Sequence, residues 1–153
     1  MSTSLLHEEL VLLDYEAEGN EDLIRKLSAI LHDKGYVKDS YAQAVVEREE
    51  AFPTGLNTLG IKVAVPHTNP EHVKQAAILV AKLLQPVTFK EMGNSGKDVD
   101  AELVFMLAVT DPKEHLSTLS KLMGIFSDRE KLLDLYQSAT KQEIITKLNS
   151  ILA

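Results

Sequence analysis

Two hydrophobic periods alternate along the chain. Over residues 21–34 apolar side chains recur at helical spacing, and Leu23, Ile24, Leu27, Ile30 and Leu31 share one face. Asn20 is the expected N-cap of this helix. Glu21 and Asp22 suit the positive end of its dipole, and Gly35 suits its stop. A second helix is expected from Tyr41 to Glu50, opened by a Ser40–Gln43 capping box and ended by Phe52-Pro53-Thr54-Gly55.

The pattern then changes period. Ile61, Val63 and Val65 alternate and are β-branched, so residues 61–65 read as a strand that stops at Pro66, which has no amide hydrogen for a ladder. Leu10–Leu13 and Val87–Phe89 read as short strands. Ala76–Leu83 reads as a buried strand, with a helix as the alternative. Leu103–Val109, the longest unbroken apolar run, is the clearest buried strand and is far short of the roughly 20 residues of a spanning helix. Met92-Gly93-Asn94-Ser95-Gly96 reads as a surface loop.

Three helices are expected to close the chain. Asp111 with Pro112 opens the first, a Ser127–Glu130 capping box the second and a Thr140–Glu143 box the third. The order of helices, strands and helices, with few hairpin turns, predicts an α/β fold. It is a sandwich of helices packed on a mixed sheet of four to five strands, in a single domain over residues 1–153.

Composition narrows the function classes. At 44% hydrophobic and 25% charged, the chain has the profile of an ordinary soluble domain. It has no cysteine, which excludes disulfides, thiolate metal sites and a cysteine nucleophile, and fits a reducing compartment. No basic segment, apolar segment and cleavage site open the chain, so secretion is not expected. The net charge of −7 lies entirely in residues 1–50, which carry 5 Lys/Arg and 12 Asp/Glu; residues 51–153 carry 11 of each. An acidic chain without a basic stripe is a poor nucleic-acid binder.

The candidate chemistry lies among five histidines, His7, His32, His67, His72 and His115. Most histidines of a soluble domain are surface residues. His67 differs because it follows a buried strand and a proline. Pro66 fixes its own φ and restricts Val65, so the imidazole stands on stiff backbone at a strand end, where α/β sheets bind ligands. The bland alternative is a histidine that merely ends a strand in a loop. His115 lies near the start of the helix opened by Pro112 and shares a face with Leu119, Leu122 and Phe126. The positive helix end favours its neutral form, which can hydrogen-bond a second histidine or a phosphoryl oxygen. A partly buried structural histidine is the alternative. Arg48 sits in the charge run Glu47–Glu50, which reads equally as a solvated face or as a source of one guanidinium clamp.

Several common sites are missing. There is no phosphate-binding glycine loop of the Walker or GxGxxG type, no HExxH and no GxSxG. His67 and His72 have a spacing that two metal ligands could use, but no carboxylate pattern accompanies them.

The run Arg48-Glu49-Glu50-Ala51-Phe52-Pro53-Thr54-Gly55-Leu56, followed by Gly60-Ile61-Lys62-Val63-Ala64-Val65-Pro66-His67, resembles the signature of enzyme IIA of the bacterial phosphoenolpyruvate-dependent sugar phosphotransferase system, fructose/mannitol type. Glu114-His115-Leu116-Ser117-Thr118-Leu119 is similar to that family's second histidine motif. The resemblance covers nearly the whole chain. Phe52-Pro53-Thr54-Gly55 and Val65-Pro66-His67-Thr68-Asn69, with His72 shortly after, look most like the galactitol branch; Thr68-Asn69 replaces a glycine that often follows the histidine in fructose-type members.

The resemblance implies a mannitol-type enzyme IIA fold and a cytoplasmic phosphocarrier. By the family's pattern His67 takes a phosphoryl group on Nε2 from the phosphorylated carrier protein HPr. It passes the group to enzyme IIB, usually to a cysteine, for uptake of a sugar or polyol through the membrane component enzyme IIC. His115 stabilises the phosphoryl group and Arg48 neutralises its charge. The scheme needs no metal and no cofactor. Two other readings compete. One is a regulatory enzyme IIA-like binding module whose phosphorylation state controls a partner; the absence of a DNA-binding segment in these residues favours the free-standing carrier. The other is a metal-dependent hydrolase using His67, His72 and His115.

Overall fold

The long apolar runs form the centre of the sheet. A computed structural model describes residues 5–58, 60–93 and 95–152. Its strands are β1 (Leu6–Tyr15), β2 (Gly55–Leu56), β3 (Val63–Ala64), β4 (Ala77–Lys90) and β5 (Asp98–Ala108). Its helices are α1 (Asn20–Asp33), α2 (Tyr41–Ala51), α3 (Pro112–Phe126), α4 (Arg129–Tyr136) and α5 (Lys141–Leu152), with a 3₁₀ turn at Pro70–His72. The sheet order is β1-β4-β5-β3-β2. β1 runs parallel to β4 and β3 parallel to β5, while β4–β5 and β2–β3 are antiparallel. The expected mixed sheet of four to five strands thus has five.

Both faces of the sheet are covered, which is why its central strands read as continuous apolar runs and not as alternating ones. Leu79, Ala81, Val104 and Met106 pack with Leu23, Leu27, Tyr41 and Val45 of α1 and α2. Ile78, Val80, Phe105 and Leu107 face the other way and pack with Leu122, Phe126, Leu132, Ile144 and Leu148 of α3, α4 and α5. Successive residues of one strand therefore serve opposite layers. Among the described residues, no helix is long and apolar enough to cross a membrane.

Several local expectations are corrected. Ala76–Leu83 and Val87–Phe89 belong to one strand, β4, and its pairing with β5 shifts register between Lys82 and Val87. Pro86 lies in that irregular stretch, where a missing amide hydrogen is tolerated. The strand expected over residues 61–65 is only Val63–Ala64. Its partner β2 was not expected at all. β2 lies so close to the β4–β5 end that a Cβ on Gly55 would meet the Lys90 carbonyl at 2.6 Å, so only glycine fits there. Of the 92–96 loop, Asn94 lies outside the described residues.

The helix caps also differ. Gly19, at φ +152°, takes the N-cap position of α1, and the Asn20 amide instead donates to the Thr88 carbonyl at 3.1 Å. Ser40 makes no cap bond to α2, since its hydroxyl pairs with His72 Nδ1 at 2.8 Å. α3 runs to Phe126, so Asp128 caps α4 by accepting from the Lys131 amide, while the Ser127 hydroxyl closes α3 by donating to the Gly124 carbonyl. The Asp111–Pro112 start of α3 forms as expected, and Thr140 accepts from the Glu143 amide at 3.1 Å ahead of α5.

Candidate functional site

β3 and β5 run in the same direction, and both end at one edge of the molecule. β3 leads into Val65-Pro66-His67, and β5 leads into α3. A bridge between His67 and Leu107 ties the segment after β3 to the end of β5. The Leu107 amide donates to the Pro66 carbonyl at 3.1 Å, and the buried Tyr41 hydroxyl donates to the Leu107 carbonyl at 2.7 Å. His67 thus stands on backbone that the sheet and α2 both restrain.

The imidazole of His67 is only 7% exposed. Its Nδ1 lies 2.8 Å from the Val65 carbonyl oxygen. A carbonyl can only accept, so Nδ1 carries the hydrogen and the lone pair of the neutral ring is left on Nε2. Burial pushes the His67 pKa down from 6.5 to about 4, with the nearby His115 and Arg48 adding to the shift and the Val65 bond opposing it. The ring is therefore neutral, and nucleophilic at Nε2, at any ordinary cellular pH.

Two further groups converge on this ring. The His115 ring centroid is 4.8 Å from that of His67, with the planes tilted by 50°. His115 is held near the start of α3, whose first turn Asp111 caps by accepting from the Lys113 amide at 2.9 Å. Burial first, and then the Arg48 charge, lower its pKa as well. Arg48 comes from the last turn of α2. Its charge acts on both histidines, and its guanidinium carbon lies 5.2 Å from the Phe52 ring centroid. Arg48 Nε is buried without a hydrogen-bond partner. Leaving a buried donor unsatisfied costs about 1–3 kcal/mol. Phe52 and Leu116, neighbours of these residues, are 59% and 68% exposed.

The structure thus brings together His67, His115 and Arg48, one from each layer of the sandwich. The other histidines have other partners. His72 is on the 3₁₀ turn and meets Ser40, His32 pairs with Asp39 and Asp33, and His7 packs on Tyr36. Among the described residues, no three histidine or acidic side chains are grouped to hold a metal ion.

Glu49 and Thr54 were missed as site residues. Glu49 belongs to a charge run that reads as a solvated face, yet it is buried and accepts from both the amide and the hydroxyl of Thr54. Burial raises its pKa, against the two bonds from Thr54 and the Arg48 charge. The signal was present: Glu49 follows Val45 and Val46 at i+4 and i+3, on the buried face of α2. An unprotonated imidazole nitrogen flanked by a second neutral imidazole and a guanidinium suits the receipt and release of an anionic group.

Residues 4–151 match the family model for the phosphoenolpyruvate-dependent sugar phosphotransferase system, EIIA 2. The chain belongs to this family. It is 41% identical over 140 residues to the transcriptional regulator ManR of Bacillus subtilis, a match covering 92% of this chain and 19% of the regulator. It is 31% identical to the mannitol-specific phosphotransferase enzyme IIA component of Geobacillus stearothermophilus, over 99% of both chains. It is 35% identical over 91 residues to the galactitol-specific EIIA component of Escherichia coli K12, covering 60% of each. Its fold matches enzyme IIA in the Escherichia coli complex of mannitol enzyme IIA with phosphorylated enzyme IIB, with a TM-score of 0.75, 26% identity and coverage of 95% and 97%. The family and the mannitol-type fold implied by the sequence motifs are both borne out.

Proposed function

We infer that this protein is a cytoplasmic phosphocarrier whose phosphoryl group rides on His67 Nε2. The observation that carries the reading is the convergence of a neutral, Nδ1-protonated His67 with His115 and Arg48. In the first transfer the Nε2 lone pair attacks the phosphorus of phosphohistidine on HPr. The donor's P–N bond breaks, and its electron pair returns to the donor imidazole. In the second transfer a nucleophile on enzyme IIB, a cysteine thiolate in most of this branch, attacks the same phosphorus. His67 leaves as a neutral imidazole. Phosphoryl transfer of this kind asks for positioning and for stabilisation of the equatorial oxygens. Arg48 and His115 supply the donors.

The exposed Phe52 and Leu116 give the site an apolar rim on which two partners can dock in turn. Enzyme IIC is an indirect, membrane-bound partner. The transported compound is a sugar or polyol. Galactitol is supported by the match to the galactitol component and by the His67-Thr68-Asn69 segment, while the mannitol component matches over its full length. A second reading, a regulatory module controlled by phosphorylation, is supported by the 41% identity to ManR.

The test is intact mass after incubation with phosphoenolpyruvate, enzyme I and HPr. The carrier reading expects one added phosphoryl group, labile to acid, stable to base and mapped to His67. Absence of any gain with active HPr contradicts it. Subsequent transfer to enzyme IIB separates the carrier from the regulator, which has no need of that step.

A further inference from the structure

The segment that presents His67 is not held by the sheet alone. The β2–β3 pairing ends at Ala64, and Pro66 has no amide hydrogen. The Val65 amide is thus the last backbone donor before the histidine itself. It points at Thr54, 3.3 Å from the carbonyl oxygen and 3.3 Å from Oγ1. The Thr54 hydroxyl has one hydrogen, which it donates to Glu49 Oε1 at 2.7 Å, so Oγ1 keeps lone pairs free to accept from Val65. Glu49 Oε2 accepts the Thr54 amide at 2.8 Å, so both carboxylate oxygens are committed to one residue. Past Val65 the chain of contacts continues, because the Val65 carbonyl accepts from His67 Nδ1.

We propose that Glu49 and Thr54 are positioning residues for His67: the buried carboxylate aims the Thr54 hydroxyl, that oxygen anchors residue 65, and residue 65 fixes the imidazole with Nδ1 protonated and Nε2 presented. The proposal rests on the carrier reading and extends it to two residues that touch neither the ring nor the phosphoryl group. α2 then has a double task. Its residue 48 brings a charge to bear on the ring, while its residue 49 bonds the loop that carries the ring. At its other end Tyr41 holds Leu107, which in turn holds Pro66. The histidine turn is braced from both ends of one helix.

A brace of this kind acts on orientation and not on docking. A misplacement of about 1 Å costs on the order of 10²-fold in rate. The test compares Thr54→Val, which keeps shape and loses the hydroxyl, with Thr54→Ser, which keeps the hydroxyl. Single-turnover transfer from phosphorylated HPr should slow by about 10- to 100-fold in Thr54→Val with little change in the concentration dependence, and Thr54→Ser should restore most of the rate. The imidazole ¹⁵N shifts of His67 in the free protein should report the Nδ1–H tautomer in the wild type and a mixture in Thr54→Val. Glu49→Gln should move both readouts in the same direction, and serves if Thr54→Val does not fold.

Three results overturn the brace: an unchanged rate and tautomer in folded Thr54→Val, a loss in Thr54→Ser as large as in Thr54→Val, or an Nε2–H tautomer in the wild type. A wild-type protein that takes no phosphoryl group on His67 overturns the carrier reading instead. The tautomer measurement still decides the brace in that case, because it needs no phosphorylation.

Discussion

His67 and His72 lie five residues apart and meet opposite fates. Each has its Nδ1 2.8 Å from an oxygen, Val65 carbonyl for one and Ser40 hydroxyl for the other. The difference lies in what that oxygen can do. A carbonyl only accepts, so it settles which ring nitrogen of His67 is protonated; a hydroxyl can donate or accept, so it settles nothing for His72. His67 is also buried just past β3, with the His115 ring 4.8 Å away and the Arg48 charge acting on it. His72 stands on a 3₁₀ turn with Glu71 near its other nitrogen at 3.8 Å. One ring is neutral and keeps its Nε2 lone pair, with a second imidazole and a guanidinium charge close by. The other is a polar staple between the 3₁₀ turn and the start of α2. Proximity in sequence says little; the element under each residue decides.

The sharpest break between the two is mutational. His67→Ala should abolish phosphoryl uptake from HPr, and His72→Ala should leave it intact, as read by acid-labile phosphate on the whole protein. Labelling of the His67 variant at the wild-type rate would reverse the assignment. Next in size is Arg48→Ala. If Arg48 donates to developing phosphoryl charge, as proposed, its removal should slow transfer by about 10²-fold. The urea midpoint should hold or rise, because the variant removes a buried donor that has no partner within the protein. His115→Ala comes third. The protein should still accept the phosphoryl group, but onward transfer to enzyme IIB should fall by about 10- to 100-fold, the worth of a hydrogen bond to a charged group. Equal loss in both directions would give His115 a role in docking or folding instead.

A further effect is on stability and not on transfer. The His67 pKa lies at about 4 in the folded protein against 6.5 for an ordinary histidine. The unfolded chain thus binds the proton first as pH falls. The contribution of neutral His67 is complete above pH 6.5 and is lost as pH falls toward 4, by about 3 kcal/mol at about 1.4 kcal/mol per pKa unit. His115 adds to this with the same sign, and the raised Glu49 acts with the opposite one. Denaturant titrations at several pH values should therefore show a steeper fall in the wild type than in His67→Ala. Parallel curves would mean that His67 titrates as an exposed histidine does.

How much of this could be read from the sequence follows the same logic. The long apolar runs declared β4 and β5 because both of their faces are buried. The strand–proline–histidine order singled out His67, and the helical spacing of His115 with Leu122 and Phe126 placed it on the inner side of α3. β2 was invisible because a two-residue strand has no period; it exists through the close approach of Gly55 to Lys90. Glu49 was hidden inside a charge run, where type suggests solvent and only its spacing from Val45 points inward. The caps moved by one residue wherever a neighbour offered the better geometry, as Asp128 did beside Ser127. Three-dimensional accidents of contact, such as Asn20 reaching Thr88 and Ser40 reaching His72, have no local signal.

The most direct test of the central claim is the position of the phosphoryl group itself. ³¹P and ¹⁵N NMR of the protein phosphorylated through HPr distinguishes the two ring nitrogens and the five histidines. A phosphoryl group on Nε2 of His67, with Nδ1 still protonated, is the predicted result. A phosphoryl group on Nδ1 of His67, or on His72 or His115, would contradict it.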